Sequence, residues 1–295
     1  MRGGRVVSVR LKYISFAESL VERLRQPPIE GIELFWLGQA GFLIRTPAHA
    51  VLIDPYLSDT LAMKYRGTPL PHVRMMSAPI DIAELGNIDL VLCTHHHTDH
   101  MDPGTLAPLA RRYSARFVVP AASRLEAMKR TGVGKDRLIC ANAGEAFEPL
   151  PGLIVRPVRS AHETLRRDDS RQYYFLGYGI EVSGMTLFHS GDCVPFAGQI
   201  EEVRALGADL ALLPVNGRSA ELAARGVPGN FFLGEATALA RDCGASFMLA
   251  HHYGMFDFNT IDVAEIEREA SRDDLVIEMS PARLGVQYAL TRHTM

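Results

Sequence analysis

Residues 94–100 read Thr94-His95-His96-His97-Thr98-Asp99-His100 and directly follow the apolar run Ile88-Asp89-Leu90-Val91-Leu92-Cys93. Five metal-capable side chains fall within the six positions 95–100. Crowded imidazoles repel one another when protonated and resist burial when charged, so such a cluster works against a fold on its own. A divalent cation reverses that sign, because neutral imidazole and carboxylate are good ligands for a borderline metal. Side chains on an extended segment alternate faces, so His95 and His97 point one way and His96 the other. Asp99 and His100 fall where the chain should turn toward a helix over 105–112. Two donors from a strand end and two from a turn can then face one cavity. A second register, His96 with His100 four apart on a helix, stays open. It requires a helix already formed at 96 and lacks the glutamate beside the first histidine that a zincin uses.

The pattern His95-x-His97-x-Asp99-His100 after an apolar strand resembles the signature of the metallo-β-lactamase superfamily. That superfamily adds a later histidine, an aspartate after a strand and a final histidine near the C-terminus. The sequence offers all three in order. His162 follows the apolar stretch 153–158, Asp192 closes Thr186-Leu-Phe-His-Ser-Gly-Asp192, and His252 lies in Ser246-Phe-Met-Leu-Ala-His-His-Tyr-Gly254. The resemblance implies two metal sites. His95, His97 and His162 hold the first, Asp99, His100 and His252 the second, and Asp192 bridges them. Between the neighbours His251 and His252 it selects His252, which heads His-Tyr-Gly. His189 is read as structural or as a support for the ligands. Asp54, in Val51-Leu-Ile-Asp54-Pro55, matches the early aspartate of the superfamily. Its implied role is to accept a hydrogen bond from a ligand histidine and fix its tautomer. A strand-ending Asp-Pro turn is compatible with that role. Oxygen-reducing diiron relatives carry Glu at the second histidine of the motif, and His97 argues against that branch.

Composition narrows the function classes. The chain has 295 residues, 47% of them hydrophobic, with a net charge of -3 and both signs interspersed. That is enough for a substantial core, and it speaks against a dedicated nucleic-acid surface. No apolar run approaches the ~18 residues of a membrane span, so no stable membrane association is expected. The four cysteines, Cys93, Cys140, Cys193 and Cys243, show no paired spacing and suggest neither disulfides nor a zinc knuckle. Cys193, next to Asp192, is read as a packing residue. The N-terminal stretch 1–10 is a poor signal peptide, and a cytoplasmic location is expected. Self-association into a homo-oligomer is left open.

Residues 12–26 read as an amphipathic helix ended by Pro27-Pro28, making 1–30 an N-terminal helical extension. Strands at 32–37, 41–46 and 50–53 suggest an antiparallel meander. Further strands are expected near 88–93, 116–119, 153–158, 173–182, 185–189, 209–213 and 246–250. Helices are expected near 105–112, 122–131, 197–206, 233–243 and 261–271. Alternating strands and helices suggest an α/β fold of two mixed sheets flanked by helices. The resemblance implies the four-layer αββα sandwich, with residues 1–295 as a single domain. The aperiodic segments 56–80 and 214–231 are read as loops over the cleft. Tyr65, Arg66, Arg74, Asn216, Arg218 and Tyr253 are the expected substrate contacts.

Four blocks, Trp36–Gly41, Cys93–His100, Leu187–Asp192 and His251–Phe256, are most similar to the L-ascorbate 6-phosphate lactonase branch. That similarity implies hydrolysis of a lactone or related small ester by a metal-bridging hydroxide, with Asp99 as the catalytic residue that orients or deprotonates the nucleophile. It implies a small-molecule substrate and manganese. The histidine-rich donor set suits zinc equally. In that branch the position of His162 is not histidine, so the complete set here suggests a more conventional dinuclear centre with two divalent ions. The alternative is a phosphodiesterase, since Trp36-Leu-Gly, Asp54-Pro and the histidine motif also resemble the N-acyl-phosphatidylethanolamine phospholipase D group. A metal-binding protein without catalysis is a third reading, against which the complete donor set counts.

Overall fold

The computed structural model describes residues 7–294. The first sheet has the order β1 (Val7–Ser15), β15 (Val286–Thr294), β2 (Ile32–Gly38), β3 (Gly41–Arg45), β4 (Ala50–Ile53), β5 (Leu90–Leu92), β6 (Arg116–Pro120) and β7 (Leu138–Ala141). The second has the order β14 (Glu278–Pro281), β13 (Phe247–His251), β12 (Leu210–Pro214), β11 (Met185–His189), β10 (Leu176–Val182), β9 (Leu153–Arg159) and β8 (Phe147–Leu150). Each sheet switches from antiparallel to parallel pairing along its width. β2, β3 and β4 form the expected meander, whereas β4 to β7 pair in parallel. β8 to β11 are antiparallel and β11 to β14 parallel.

The two sheets share one apolar core. Leu34, Trp36, Phe42, Ile44, Ile53 and Leu92 from the first pack with Tyr178, Ile180, Leu187, Leu212 and Leu249 from the second. The other face of the first sheet, through Phe35, Leu37, Leu43, Leu52, Val91 and Phe117, packs on Leu106 and Leu109 of α3 (Pro103–Arg112) and Ala127 of α4 (Arg124–Thr131). Both faces of these strands are therefore dry, which is why 34–37 reads as an unbroken apolar run. Helices α5 (Gln199–Arg204), α7 (Leu233–Cys243) and α8 (Val263–Ala270) cover the second sheet. The layers run helix, sheet, sheet, helix, as expected. Short helices α1 (Leu20–Leu24), α2 (Thr60–Lys64) and α6 (Ala220–Ala224) lie in the connections.

The N-terminal expectation needs correction. Residues 12–15 belong to β1, which pairs antiparallel with β15 near the other end of the chain, Leu11 facing Leu290. Only 20–24 are helical, started by a capping box between Ser19 and Glu22. The alternating stretch Val7–Ser15 is a strand pattern whose partner lies some 280 residues away, and local periodicity cannot register such a partner. Short strands β7, β8 and β14 were also not expected; four-residue strands carry too little pattern to stand out. The strand expected from 173 begins at Leu176. The first six residues of the stretch read as a poor signal peptide lie outside the described residues. Among the described residues, no helix is long and apolar enough to cross a membrane.

Candidate metal centre

The site forms because several strands end at the same edge. β9 and β11 both pair antiparallel with β10, so they run in the same direction, and β12 and β13 run parallel to β11. His162 follows β9, Asp192 follows β11 and His252 follows β13. The loop 94–101 leaves β5 in the facing sheet and winds into α3, with the His100 and Met101 N–H groups donating to His97 O at 3.1 and 2.8 Å. Helix α3 starts at Pro103, a residue suited to a first helical position, and Asp102 caps it through Gly104 N–H at 3.0 Å. Gly191, at φ +62°, lets the Asp192 loop approach closely; a Cβ there would sit 2.7 Å from Thr94 Cβ.

All seven expected donors gather. The donor atoms of His95, His97, His162 and Asp192 lie within 4.8 Å of one another, and those of Asp99, His100 and His252 form a second such group. Asp192 reaches both: Oδ2 is 3.6 Å from His162 Nε2, and Oδ1 is 3.1 Å from both His100 Nε2 and His252 Nε2. Asp99 Oδ2 is 3.7 Å from each of those last two nitrogens. Among the described residues, His95 Nε2, His100 Nε2 and Asp192 Oδ1 are buried with no hydrogen-bond partner. Buried polar atoms are ordinarily satisfied, so orphaned imidazole nitrogens converging on an orphaned carboxylate oxygen fit a pair of divalent cations.

The charge balance fits as well. Burial, reinforced by the neighbouring imidazoles, holds His95 well below the ordinary histidine range and His162 at about 4. Burial also lowers His97, against the pull of Asp99. Burial opposes a charge on His100, but Asp192, Asp54 and Asp99 outweigh it and raise His100 well above the ordinary range. Asp192 is buried yet held well below the usual carboxylate range by His100 and His252. One half of the site is thus neutral imidazole, and the other gathers the carboxylates, whose charge favours a cation on or beside His100.

Supporting residues sit behind the donors. Asp54 lies 2.7 Å from His100 Nδ1 and accepts from the N–H and hydroxyl of Thr94 at 2.8 and 2.6 Å. His189 Nε2 donates to Ala40 O at 2.9 Å and its Nδ1 accepts from Gly191 N–H at 3.0 Å, which braces the Asp192 loop. His251 stacks on His189 at 4.8 Å inside the core, while His252, at φ +64°, turns into the site. His96 belongs to neither donor group, although it lines the cleft. Cys193 is buried and accepts from Ala161 N–H at 3.4 Å.

The donors open onto a cleft of about 290 Å³. Tyr65 lines it, together with Leu61, Lys64 and His72 from the 56–80 segment and Gly226–Pro228 from the 214–231 segment. The other expected substrate contacts are placed elsewhere, each for a physical reason. Arg66 faces a separate groove. Arg74 donates to Met76 O and Tyr56 O at 3.0 and 2.9 Å, holding the loop together. Asn216 bonds Asn259 and Asn230, and Arg218 makes a bidentate pair with Glu235 at 2.6 and 2.7 Å. Tyr253 stacks on Trp36 at 5.2 Å and donates to Ala282 O. Sequence reasoning gave no role to Gln39, whose Nε2 donates to Asp99 Oδ2 at 2.8 Å and lies 3.1 Å from His252 Nε2. Its signals were the tight Gly38-Gln39-Ala40-Gly41 turn and its place in the block Trp36–Gly41. Arg130 and Phe258 also line the cleft and carried no signal, and Phe256, which ends the block His251–Phe256, lines it too.

Comparison with known proteins agrees with this architecture. A family model described as a beta-lactamase superfamily domain matches residues 49–253. A UPF0173 metal-dependent hydrolase of Myxococcus xanthus is 29% identical over 233 residues, covering 76% of this chain and 71% of that protein. Another, from Rubrobacter xylanophilus, is 27% identical, covering 88% and 97%. Among solved structures, Igni18, a metallo hydrolase from the archaeon Ignicoccus hospitalis, shares the fold with a TM-score of 0.65. It is 18% identical, and the match covers 88% of this chain and 98% of that one.

Proposed function

The chain belongs to the beta-lactamase superfamily, and we propose that it is a metal-dependent hydrolase of lactones or related small esters. One observation carries the reading: seven His and Asp donors form two groups joined by Asp192, with orphaned buried atoms among them, at one small cleft. In this reading His95, His97 and His162 would hold one cation and Asp99, His100 and His252 a second, with Asp192 shared. Two divalent ions, manganese or zinc, would supply a water acidic enough to attack at neutral pH and a Lewis acid for the substrate carbonyl. The names of the relatives, metal-dependent hydrolases, agree with it.

The chain's own groups have definite tasks. Asp99, held by Gln39 Nε2, takes the proton of the attacking water and returns it to the leaving alkoxide. Asp54 keeps the proton on His100 Nδ1, so that Nε2 faces the centre. Arg130 is tethered to Glu126 at 2.6 Å and to Met101 O at 2.8 Å, and it brings a fixed positive charge to the cleft. A small cleft lined by one arginine favours a compact ester over a lipid phosphodiester. A cytoplasmic location belongs to the same proposal, supported by four unpaired cysteines.

The test is elemental analysis of protein purified without added metal, followed by assay of the same sample against sugar lactones and phosphodiesters. Bound manganese or zinc with lactone turnover is expected. Phosphodiester cleavage without lactone turnover would replace the reading, and metal binding with neither activity would end it.

A further inference from the structure

Besides the metal-facing donors, the cleft has an aromatic wall made of Tyr65, His72, Phe256 and Phe258. Tyr65 and His72 stack at 4.2 Å, and His72 meets Phe256 and Phe258 edge-on at 5.1 and 4.8 Å. Phe256 and Phe258 are nearly parallel at 5.9 Å. None of the four belongs to the donor groups.

His72 is the unusual member. It follows Pro71 and adopts φ +52°, a left-handed conformation that strains an L residue and persists only where the surroundings impose it. Its Nδ1 lies 2.6 Å from Leu70 O. A carbonyl can only accept, so Nδ1 carries the proton, and a neutral ring then presents Nε2 as an acceptor. Burial lowers the ring below its ordinary pKa, which keeps it neutral at pH 7. The wall is therefore mainly aromatic, with two polar groups in it: the Tyr65 hydroxyl, which can donate or accept, and His72 Nε2, which in the neutral ring can only accept. At about 290 Å³ the cleft lies at the small end for ligand cavities. That is about twice the ~150 Å³ that holds a benzene ring, room for one ring with substituents.

We propose that Tyr65, His72, Phe256 and Phe258 form the substrate-selecting wall, which takes a planar aromatic or unsaturated group bearing an O–H or N–H donor aimed at His72 Nε2. Planar rings gain from aromatic contact beyond their area, and a fixed acceptor discriminates against analogues lacking the donor. His72 acts here as a specificity residue. The inference rests on the hydrolase reading only for the bond that is cleaved; recognition by the wall stands apart from it.

Three small probes test it on the metal-loaded protein by NMR titration: phenol (ring and donor), anisole (ring alone) and cyclohexanol (donor alone). Phenol should bind roughly five- to tenfold more tightly than either of the others. His72→Phe should remove the preference for phenol over anisole, and His72→Gln, whose carboxamide oxygen can stand in for Nε2, should restore it. Phe258→Leu should narrow the gap between both ring probes and cyclohexanol. Equal affinities for the three probes, or a phenol preference that survives His72→Phe, would overturn the proposal. If either His72 variant does not fold, the wild-type comparison and Phe258→Leu still decide. Lost probe selectivity with intact lactone turnover removes this inference alone. Retained selectivity with no turnover removes the hydrolase reading alone.

Discussion

The carboxylate of Asp54 lies 2.7 Å from Nδ1 of His100, and both side chains are fully buried. Because a carboxylate only accepts, the imidazole proton sits on Nδ1 and Nε2 is left for Asp192 and Asp99. Asp54 reaches this position at the end of β4 through a left-handed turn, φ +44°, that also aims its other contacts at Thr94. Sheet pairing thus sets a histidine tautomer.

Asp54→Asn tests that coupling. The amide keeps the shape but loses the charge that favours the Nδ1 proton. Metal affinity should fall about 10- to 100-fold, as read by chelator competition, with little change in circular dichroism. Unaltered affinity would show that His100 does not need this partner.

Metal should also stabilise the fold. Without a cation, the donor groups hold orphaned buried atoms and crowded imidazoles. Zinc or manganese at about a hundredfold over Kd should add about 2.7 kcal/mol, which raises Tm by roughly 5 °C. Chelation should reverse the shift. His97→Ala and Asp192→Ala should each abolish both the shift and turnover; full metal content and normal rates in either would remove the ligand assignment.

Acid should weaken the metal-free protein. Burial depresses His95, His97 and His162, the last to about 4. Between the unfolded value near 6.5 and that lower one, the unfolded chain binds more protons, so stability falls as pH falls. For His162 alone the loss at pH 5 is roughly 2 kcal/mol. His100, raised by its carboxylate neighbours, works in the opposite sense and contributes stability that is lost as pH rises through its elevated pKa. Urea midpoints of chelated protein should drop from pH 7 to pH 5, and His162→Gln should flatten that drop. A slope that His162→Gln leaves untouched would assign the acid sensitivity to other groups.

Arg74 was expected to touch substrate, and the structure gives it a different task. Its guanidinium lies 4.7 Å above the Tyr56 ring and binds the carbonyls of Tyr56, Ser58 and Met76 in the loop over the cleft. Arg74→Met should cost about 1–3 kcal/mol and speed limited proteolysis within 56–80, while metal content is unchanged. An unaffected cleavage rate would count against the anchoring role.

Much of the strand and helix order was legible because apolar periodicity is local: α7 spans Leu233–Cys243 and β4 spans Ala50–Ile53, as read from the chain. The substrate contacts were largely illegible. Arg218 and Asn216 look available in a polar loop, but Glu235, Asn259 and Asn230, which occupy them, come from other segments. His72 drew no notice because its tautomer depends on Leu70 O and its wall on Phe256 and Phe258, some 185 residues away.

The sequence by itself determined which side chains could bind a cation and in what order they occur, since donor chemistry and strand-end spacing are written in short stretches such as 95–100. The tertiary structure decided the rest. It brought the ends of β9, β11 and β13 to one edge against the turn after β5, turned His252 inward while His251 stayed in the core, and set Gln39 beside Asp99. Those outcomes follow from strand direction and sheet pairing across long separations, which are settled only when the whole core is buried together.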